Sequence, residues 1–355
     1  MRIVSLELER RTTELGALRR EGLFVRMIDE TGRSGLGEAS PLPGYSPDDL
    51  ASCEHELERL VVPPVGPDPM EVLSLSRELI PEGRPPAARA ALEMALLDLA
   101  GQRTSEPVWA LLRRAGDFAA SSMPSLLPLA ALLDAKSESE LVMQAKAALA
   151  RGIRTLKVKI GRHGPFELEL ERLRALRREI GPSIRLRLDA NRSFLPTQAR
   201  ERLELLAELD PEYVEEPVRD SSKLENCPVP IALDETLHDA AQVQKIEHDA
   251  RFGAVVALVL KPGALGIGRS LELARLGRAH GLDLVLSHQF EGPVAFAAAA
   301  HLALAVGSSE RAAGLDRHGG LALHPELEVP LVSPAHVVSS SAPGLGLAPA
   351  KVRAA

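Results

Sequence analysis

The chain has 355 residues, 49 acidic against 42 basic side chains (net charge −7), 45% hydrophobic content and a mean hydropathy of −0.01. These values describe a soluble globular protein, and the negative balance supplies no field that would draw in nucleic acid. Cys53 and Cys227 are far apart and outside metal-ligand spacing, so they read as free thiols of a reducing, cytoplasmic compartment.

The opening MRIVSLELERR alternates and carries charge, which predicts a strand rather than a signal peptide. Strands are predicted over residues 2–10 and 23–28, with a turn at Thr31-Gly32 before a third, short strand. Helices follow over 47–60, 69–79 and 87–102. The last has few polar positions and should be buried at a domain interface. Strands followed by helices predict an α+β unit over residues 1–118. Within it, Arg19 and Arg20 read ordinarily as solvated cations, but could meet an anionic substrate. The Pro- and Gly-rich stretch 41–46, which carries Tyr45, makes a shaped loop.

From about residue 119 to 325, short apolar runs alternate with helical segments. The first strand is expected over 121–127, with helices over 138–151, 166–180, 197–208, 267–280 and 293–306. Later strands are expected over 283–287 and 312–316. The most apolar run, 294–306, is too short to span a bilayer and contains His301, so it reads as a helix buried against a barrel. Residues 326–355 are rich in Pro, Ser and Gly and show little periodicity.

Five runs between Thr155 and Pro262 each end in an ionisable residue: Lys159, Asp189, Glu215, Asp234 and Lys261. The separations of 30, 26, 19 and 27 residues are each about one strand–helix crossover, so parallel strands would bring all five charges to one end. Three neighbouring carboxylates repel one another, and a divalent cation removes that repulsion. An oxygen-only ligand set suits Mg²⁺, or Mn²⁺, better than zinc. Any one of these charges reads as a solvated strand end; the ordered set of five does not.

The order Lys-x-Lys, Asp-Ala-Asn, Glu-Glu-Pro, Asp-Glu, Lys-Pro resembles the muconate-lactonising subgroup of the enolase superfamily over nearly the whole chain. PLPGYSP at 41–47, after Gly37-Glu38-Ala39, is similar to the o-succinylbenzoate synthases, the dehydratases of menaquinone biosynthesis. The resemblance implies an α/β fold, a modified (β/α)7β TIM-type barrel over 119–325. Residues 1–118 would be the capping domain, and 326–355 would return to it. Sites of this superfamily pair a lysine or histidine base with Mg²⁺. By position Lys159 is then the base and Lys261 the opposing group, protonated in a dehydratase. Asp189, Glu215 and Asp234 hold Mg²⁺ or Mn²⁺; Glu215 is chosen over Glu216 because related sequences tolerate glutamine at the second position.

Lys157 shares a strand face with Lys159 and would lower its pKa, and Arg187 shares a face with Asp189. Asn191 and Glu216 would support the metal site, Glu216 through its shell or by pairing with Lys157 or Lys261. The substrate, a small carboxylate, would meet Arg20, Tyr45, Ser287, His288 and Glu291. Backbone donors at the helix after SHQFEGP would take its second carboxylate. His288 and Phe290 depart from relatives that carry serines there.

The implied reaction is a syn dehydration, with an N-succinylamino acid racemase or a dipeptide epimerase as the competing activity. Dipeptide epimerases carry Asp-x-Asp after strand eight, where this chain has Asp316-Arg317-His318. A non-catalytic binding protein on this fold would have no use for so many retained charges. GALGIG at 263–268 lacks the spacing of a dinucleotide loop, and His163, His238 and His324 have no metal-ligand spacing. Neither nucleic acid nor a membrane is an expected partner, and oligomeric state carries no sequence signal.

Overall fold

A three-stranded antiparallel sheet opens the chain, built from β1 (Ile3–Leu15), β2 (Leu18–Asp29) and β3 (Ser34–Ala39) in that order. The structure, a computed structural model, describes residues 1–16, 18–118, 126–162, 164–220, 226–248, 253–307 and 310–350. β1 and β2 run further than their apolar alternation predicts. Charged residues continue the ladder, Glu14 standing opposite Arg19, where opposite charges across strands are favourable.

Four helices follow: α1 (Leu50–Glu58), α2 (Pro69–Leu79), α3 (Pro86–Thr104) and α4 (Val108–Gly116). Asp49 and Asp68 cap α1 and α2 by accepting backbone N–H groups. As expected, α3 is buried throughout 87–101. It lies directly on β3 because a Cβ at Gly35 or Gly37 would stand 2.2 or 2.0 Å from the carbonyl oxygens of Ala95 and Ala91. The sequence reading did not anticipate α4, although its buried Val108, Leu111, Leu112 and Ala115 form one helical stripe.

The strand–helix repeat comprises β4 (Leu126–Pro128), β5 (Ala130–Leu133), α5 (Glu138–Ala150), β6 (Thr155–Lys159), α6 (Phe166–Ile180), β7 (Arg185–Asp189), α7 (Pro196–Ala207), β8 (Tyr213–Glu215), β9 (Ile231–Leu233), α8 (Ala240–His248), β10 (Val255–Leu260), the short α9 (Pro262–Leu265), α10 (Ile267–Ala279), β11 (Asp283–Leu286) and α11 (Pro293–Val306). Strands β5 to β11 form one parallel, curled sheet in sequence order. Inside it, Tyr213, Ala232, Ala257, Val259 and Val285 pack as a separate apolar group, while Leu258 and Leu260 alternate outward into the main core.

Two expectations are corrected. The barrel does not begin over 121–127: residues 121–125 lie outside the described residues, and β4 pairs antiparallel with β13 (His336–Val338). The first barrel strand is β5, whose Ala131 and Leu133 are buried. The eighth strand expected over 312–316 is reduced to two parallel bridges, Leu129 with Ala313 and Ser287 with Gly314. Hydrogen bonds from Ala130 N to Ala313 O (2.8 Å) and Gly314 N to Leu286 O (2.8 Å) join β11 to β5 through this segment. Side-chain bulk is excluded at the seam, since a Cβ on Gly314 would lie 2.7 Å from Ser287 Oγ.

Buried carboxylates from the N-terminal unit fasten it to the barrel helices. Glu38 accepts from Gly292 N (2.5 Å), Val294 N (3.2 Å) and Ala295 N (3.1 Å) at the start of α11. Glu93 accepts from Ile267 N (2.5 Å) and Gly268 N (3.4 Å) at the start of α10. Both place negative charge where the first-turn N–H groups have no partner of their own. The last segment crosses back: β12 (Leu327–Glu328) pairs with β14 (Ala348–Pro349), Leu345 N donates to Asp98 (2.9 Å) and Trp109 Nε1 donates to Ser340 O (2.8 Å). Among the described residues, no helix is long and apolar enough to cross a membrane. His301 sits buried in α11 as anticipated, its Nδ1 accepting from Trp109 N at 3.1 Å.

Candidate active site

Parallel register sets the site. Lys157 pairs with Arg187 and Lys159 with Asp189 across β6 and β7; Asp189 then pairs with Glu215 across β7 and β8. Asp234 follows the last residue of β9, and Lys261 the last residue of β10. All five end-of-strand charges therefore converge at one mouth. Lys157, Lys159, Glu215 and Lys261 line a cavity of about 790 Å³ there. Loops leaving these strands hold non-glycine residues at positive φ: Asn191 (42°), Arg192 (62°), Glu216 (42°) and Phe290 (62°). Such conformations are uncommon and gather at functional sites.

Lys157 Nζ stands 2.8 Å from Asp189 Oδ2 and 2.7 Å from Glu215 Oε1. Lys159 Nζ is 3.1 Å from Asp189 Oδ2 and donates to Asn191 Oδ1 at 2.7 Å. On the far side Lys261 donates to Asp234 Oδ2 at 2.5 Å. Burial, reinforced by the Lys157 and Lys261 ammonium groups, holds Lys159 below its ordinary pKa despite Asp189. Burial acts the same way on Lys261 and is the largest single influence, but Asp234, Glu215 and Asp189 together outweigh it and raise that pKa. Asp189 and Glu215 likewise overcome burial at Lys157 and hold it well above its ordinary value. The two facing lysines are thus unequal. Their surroundings push them in opposite directions.

Glu215 is pushed up to about 8, by burial first and by the Asp189 charge second. Asp189 Oδ2 and Glu215 Oε2 are buried and accept no well-formed hydrogen bond, and Glu235 Oε2 is in the same state. The expected cage is not closed, however. Among the described residues, no three carboxylates or histidines stand together closely enough to grip an ion. The Lys157 and Lys261 ammonium groups fill the space between them. Hard oxygen donors at neighbouring strand ends, and a carboxyl raised by burial and then by its neighbour's charge, still fit a divalent cation in type.

The remaining expected residues divide clearly. Asn191 is central: besides Lys159 it accepts from Arg162 (2.5 Å), and it donates to Glu235 (2.9 Å). Arg187 lines the cavity floor, donates to Ala312 O (2.8 Å), pairs with Glu212 and lies over the Tyr213 ring at 4.9 Å. Tyr45, Ser287 and His288 line the cavity. His288 Nδ1 accepts from Phe290 N, and its ring stacks on His318 with centroids 4.0 Å apart. Burial holds that imidazole well below its ordinary pKa.

Three expectations fail, and that for Glu216 loses its lysine pairing but keeps its supporting place beside Asp234. Arg20 does not face the substrate. It is fully buried, donating to Pro41 O (2.8 Å), Ser40 O (2.8 Å) and Phe290 O (3.1 Å), and so ties two loops together. Glu291 is turned inward to accept from Gln289 N. Glu216 reaches neither lysine; it accepts from Asp234 N (2.7 Å) and Thr236 N (3.1 Å), bracing the loop after β9. The α11 N-terminus cannot take a substrate carboxylate, because Glu38 already fills its donors. His238, set aside in the sequence, lies 3.1 Å from Tyr45 Oη, while His163 lies outside the described residues.

The sequence reading missed Glu235, Arg162, Arg192 and Arg219 as cavity-lining residues. Glu235 was visible beside Asp234; the arginines sit in loops without periodicity. Burial first, then the Asp234 and Asp189 charges, pushes Glu235 up to about 7.

Residues 140–352 match the family described as Enolase C-terminal domain-like. Residues 13–113 match the N-terminal domain of mandelate racemase / muconate lactonizing enzyme. The chain is 28% identical over 294 residues to the L-Ala-D/L-Glu epimerase of Clostridium acetobutylicum, covering 80% of this chain and 78% of that one. It is 31% identical over 289 residues to the o-succinylbenzoate synthase of Desulfotalea psychrophila, covering 71% and 75%. The crystal structure of muconate cycloisomerase from Pseudomonas fluorescens superposes with a TM-score of 0.82 at 25% identity, covering 98% of this chain and 96% of that one. With both of its parts matched and the lysines and carboxylates gathered at the strand ends, the chain belongs to the enolase superfamily, in its muconate-lactonising-like branch.

Proposed function

We propose that the chain is an o-succinylbenzoate synthase, converting 2-succinyl-6-hydroxy-2,4-cyclohexadiene-1-carboxylate to o-succinylbenzoate and water. The observation that carries this reading is the unequal surroundings of the facing lysines: Lys159 shares Asp189 with Lys157, whereas Lys261 alone among the described lysines pairs with Asp234, at 2.5 Å. A one-base elimination needs that inequality, whereas a two-base racemisation needs either lysine to serve as base. Lys159 takes the proton from the carbon beside the carboxylate, and the C–H electron pair enters an ene-diolate. Lys159 then returns the proton to the departing hydroxyl, so that water leaves and the ring becomes aromatic. Lys261, fixed as ammonium, stabilises the negative charge that develops opposite the base.

Asp189, Glu215 and Asp234 are the residues that would hold a divalent cation, Mg²⁺ by preference, which when bound supplies Lewis-acid stabilisation of the ene-diolate. Arg162 and Arg219, exposed and lining the cavity, are the side chains that would meet the second carboxylate now that Arg20 and the α11 N-terminus are otherwise engaged.

Two observations bear on the competing isomerase reading. Asp316 is paired with Arg151 at 2.5 Å, and Arg317 donates to Val329 O and Val332 O, so this segment offers no free carboxylate pair for the α-ammonium of a dipeptide. Two lysines facing one cavity from β6 and β10 leave racemisation of an N-succinylamino acid as the second reading. Incubation of purified protein and Mg²⁺ with the cyclohexadiene substrate should give aromatic product by absorbance. Rapid α-proton exchange of N-succinylamino acids in deuterated solvent, with no dehydration, would favour the racemase instead.

A further inference from the structure

The loop between β3 and α1 is pinned at its base and reaches the site at its tip. Arg20 holds Ser40 O and Pro41 O, both at 2.8 Å, to the loop that carries Phe290. Ser46 Oγ accepts from Leu42 N (2.9 Å) and donates to Gln289 Oε1 (3.2 Å), and Tyr45 N donates to Leu42 O (3.0 Å). These bonds deliver Tyr45 into the barrel mouth. Its hydroxyl donates to Asp234 Oδ1 at 2.6 Å, which leaves Oδ2 for Lys261. Lys261 Nζ lies 4.1 Å from the Tyr45 ring centroid, over the negative face that attracts a cation. His238 Nε2 meets the same hydroxyl at 3.1 Å and its ring abuts Tyr45 edge-on at 5.2 Å, so the phenol cannot swing away freely.

We propose that Tyr45 is a positioning residue for Lys261, through which the docked N-terminal loop sets where the ammonium of the β10 side stands. This deepens the proposed function, because it rests on Lys159 and Lys261 as the groups that face one another across the cavity. A lysine stem is long and rotamer-rich, so a ring beneath its head group and an oriented carboxylate beside it select one placement. Tyr45 should therefore govern proton traffic on one face of a bound carboxylate and leave the other face alone.

The test compares Tyr45→Leu, which removes ring and hydroxyl, with Tyr45→Phe, which keeps the ring. The α-proton exchange of the two enantiomers of one N-succinylamino acid is followed in deuterated solvent with Mg²⁺. Lys159→Ala and Lys261→Ala assign each enantiomer to its lysine. Tyr45→Leu should lower exchange on the Lys261 face at least tenfold and change the Lys159 face less than twofold, with Tyr45→Phe in between. Equal loss on both faces, or loss on neither, overturns the proposal.

If the unmodified protein shows no exchange on the Lys261 face, the outcome that the dehydratase reading expects of a Lys261 fixed as ammonium, the positioning role is decided by a second measurement. With only eight lysines in the chain, selective ¹³Cε labelling resolves Lys261, assigned by Lys261→Arg. Its signal should be displaced by the ring in the unmodified protein and in Tyr45→Phe, and should move toward the solvated-lysine position in Tyr45→Leu. An unmoved signal in Tyr45→Leu overturns the positioning role whatever the activity.

Discussion

Glu38, Glu93 and Asp98, where the N-terminal unit meets the barrel helices and the C-terminal segment, leave no buried oxygen without a partner; backbone N–H groups supply most of what they accept. Asp189, Glu215 and Glu235, at the barrel mouth, each keep a buried oxygen that accepts no well-formed hydrogen bond. Both sets are carboxylates removed from water, and burial is the largest influence on every one of them. What separates them is the supply of donors. At the seam it is saturated by backbone N–H groups, those of helix N-termini for Glu38 and Glu93 and those of Leu36 and Leu345 for Asp98; at the mouth it is left incomplete and surrounded by ammonium groups. A protein keeps under-satisfied buried charge where a ligand is to complete it.

Substitutions in the two regions should therefore fail in opposite ways. Lys159→Ala, at the mouth, should lower turnover by roughly 10³-fold or more, the scale of a lost general base, with an unchanged urea midpoint. Retained activity would remove Lys159 from the base role. Glu38→Ala, at the seam, should lower unfolding free energy by roughly 3 kcal/mol, because it strands the α11 donors, and Glu38→Gln should recover part of that loss. Equal stability in urea titrations would show that the seam is not saturated by this carboxylate.

A smaller effect sharpens the contrast within the mouth. The base must be neutral, so kcat/KM rises as pH climbs through the Lys159 pKa. Lys157 is one of the charges pressing that pKa down, after burial. Lys157→Met removes the pressure, so the rising limb of the pH profile should move to higher pH. A limb that stays put or moves lower would assign the depression to burial and Lys261 without Lys157.

Much of the mouth was legible in the sequence, because strand alternation and crossover spacing fix which residues end each strand and on which face they stand. Lys159, Asp189, Glu215, Asp234 and Lys261 needed no more than that to be brought together. The seam was not legible. Nothing local distinguishes Glu38 from a surface glutamate until α11, some 254 residues later in the chain, is laid against it. Arg20 failed for the same reason, its three carbonyl partners coming from loops of two units. The eighth strand was overestimated because two bridges suffice to close the sheet there. The cage expected of three carboxylates is also incomplete, since strand spacing says nothing of how far a neighbouring lysine will reach.

Calorimetric titration of Mg²⁺ into the purified protein, into Glu215→Gln and into Glu38→Gln tests the contrast most directly. One ion per chain should bind the unmodified protein and Glu38→Gln, and binding should be lost or severely weakened in Glu215→Gln. No binding to the unmodified protein, or equal binding to all three, would contradict the account of the mouth as a set of carboxylates that a divalent cation completes.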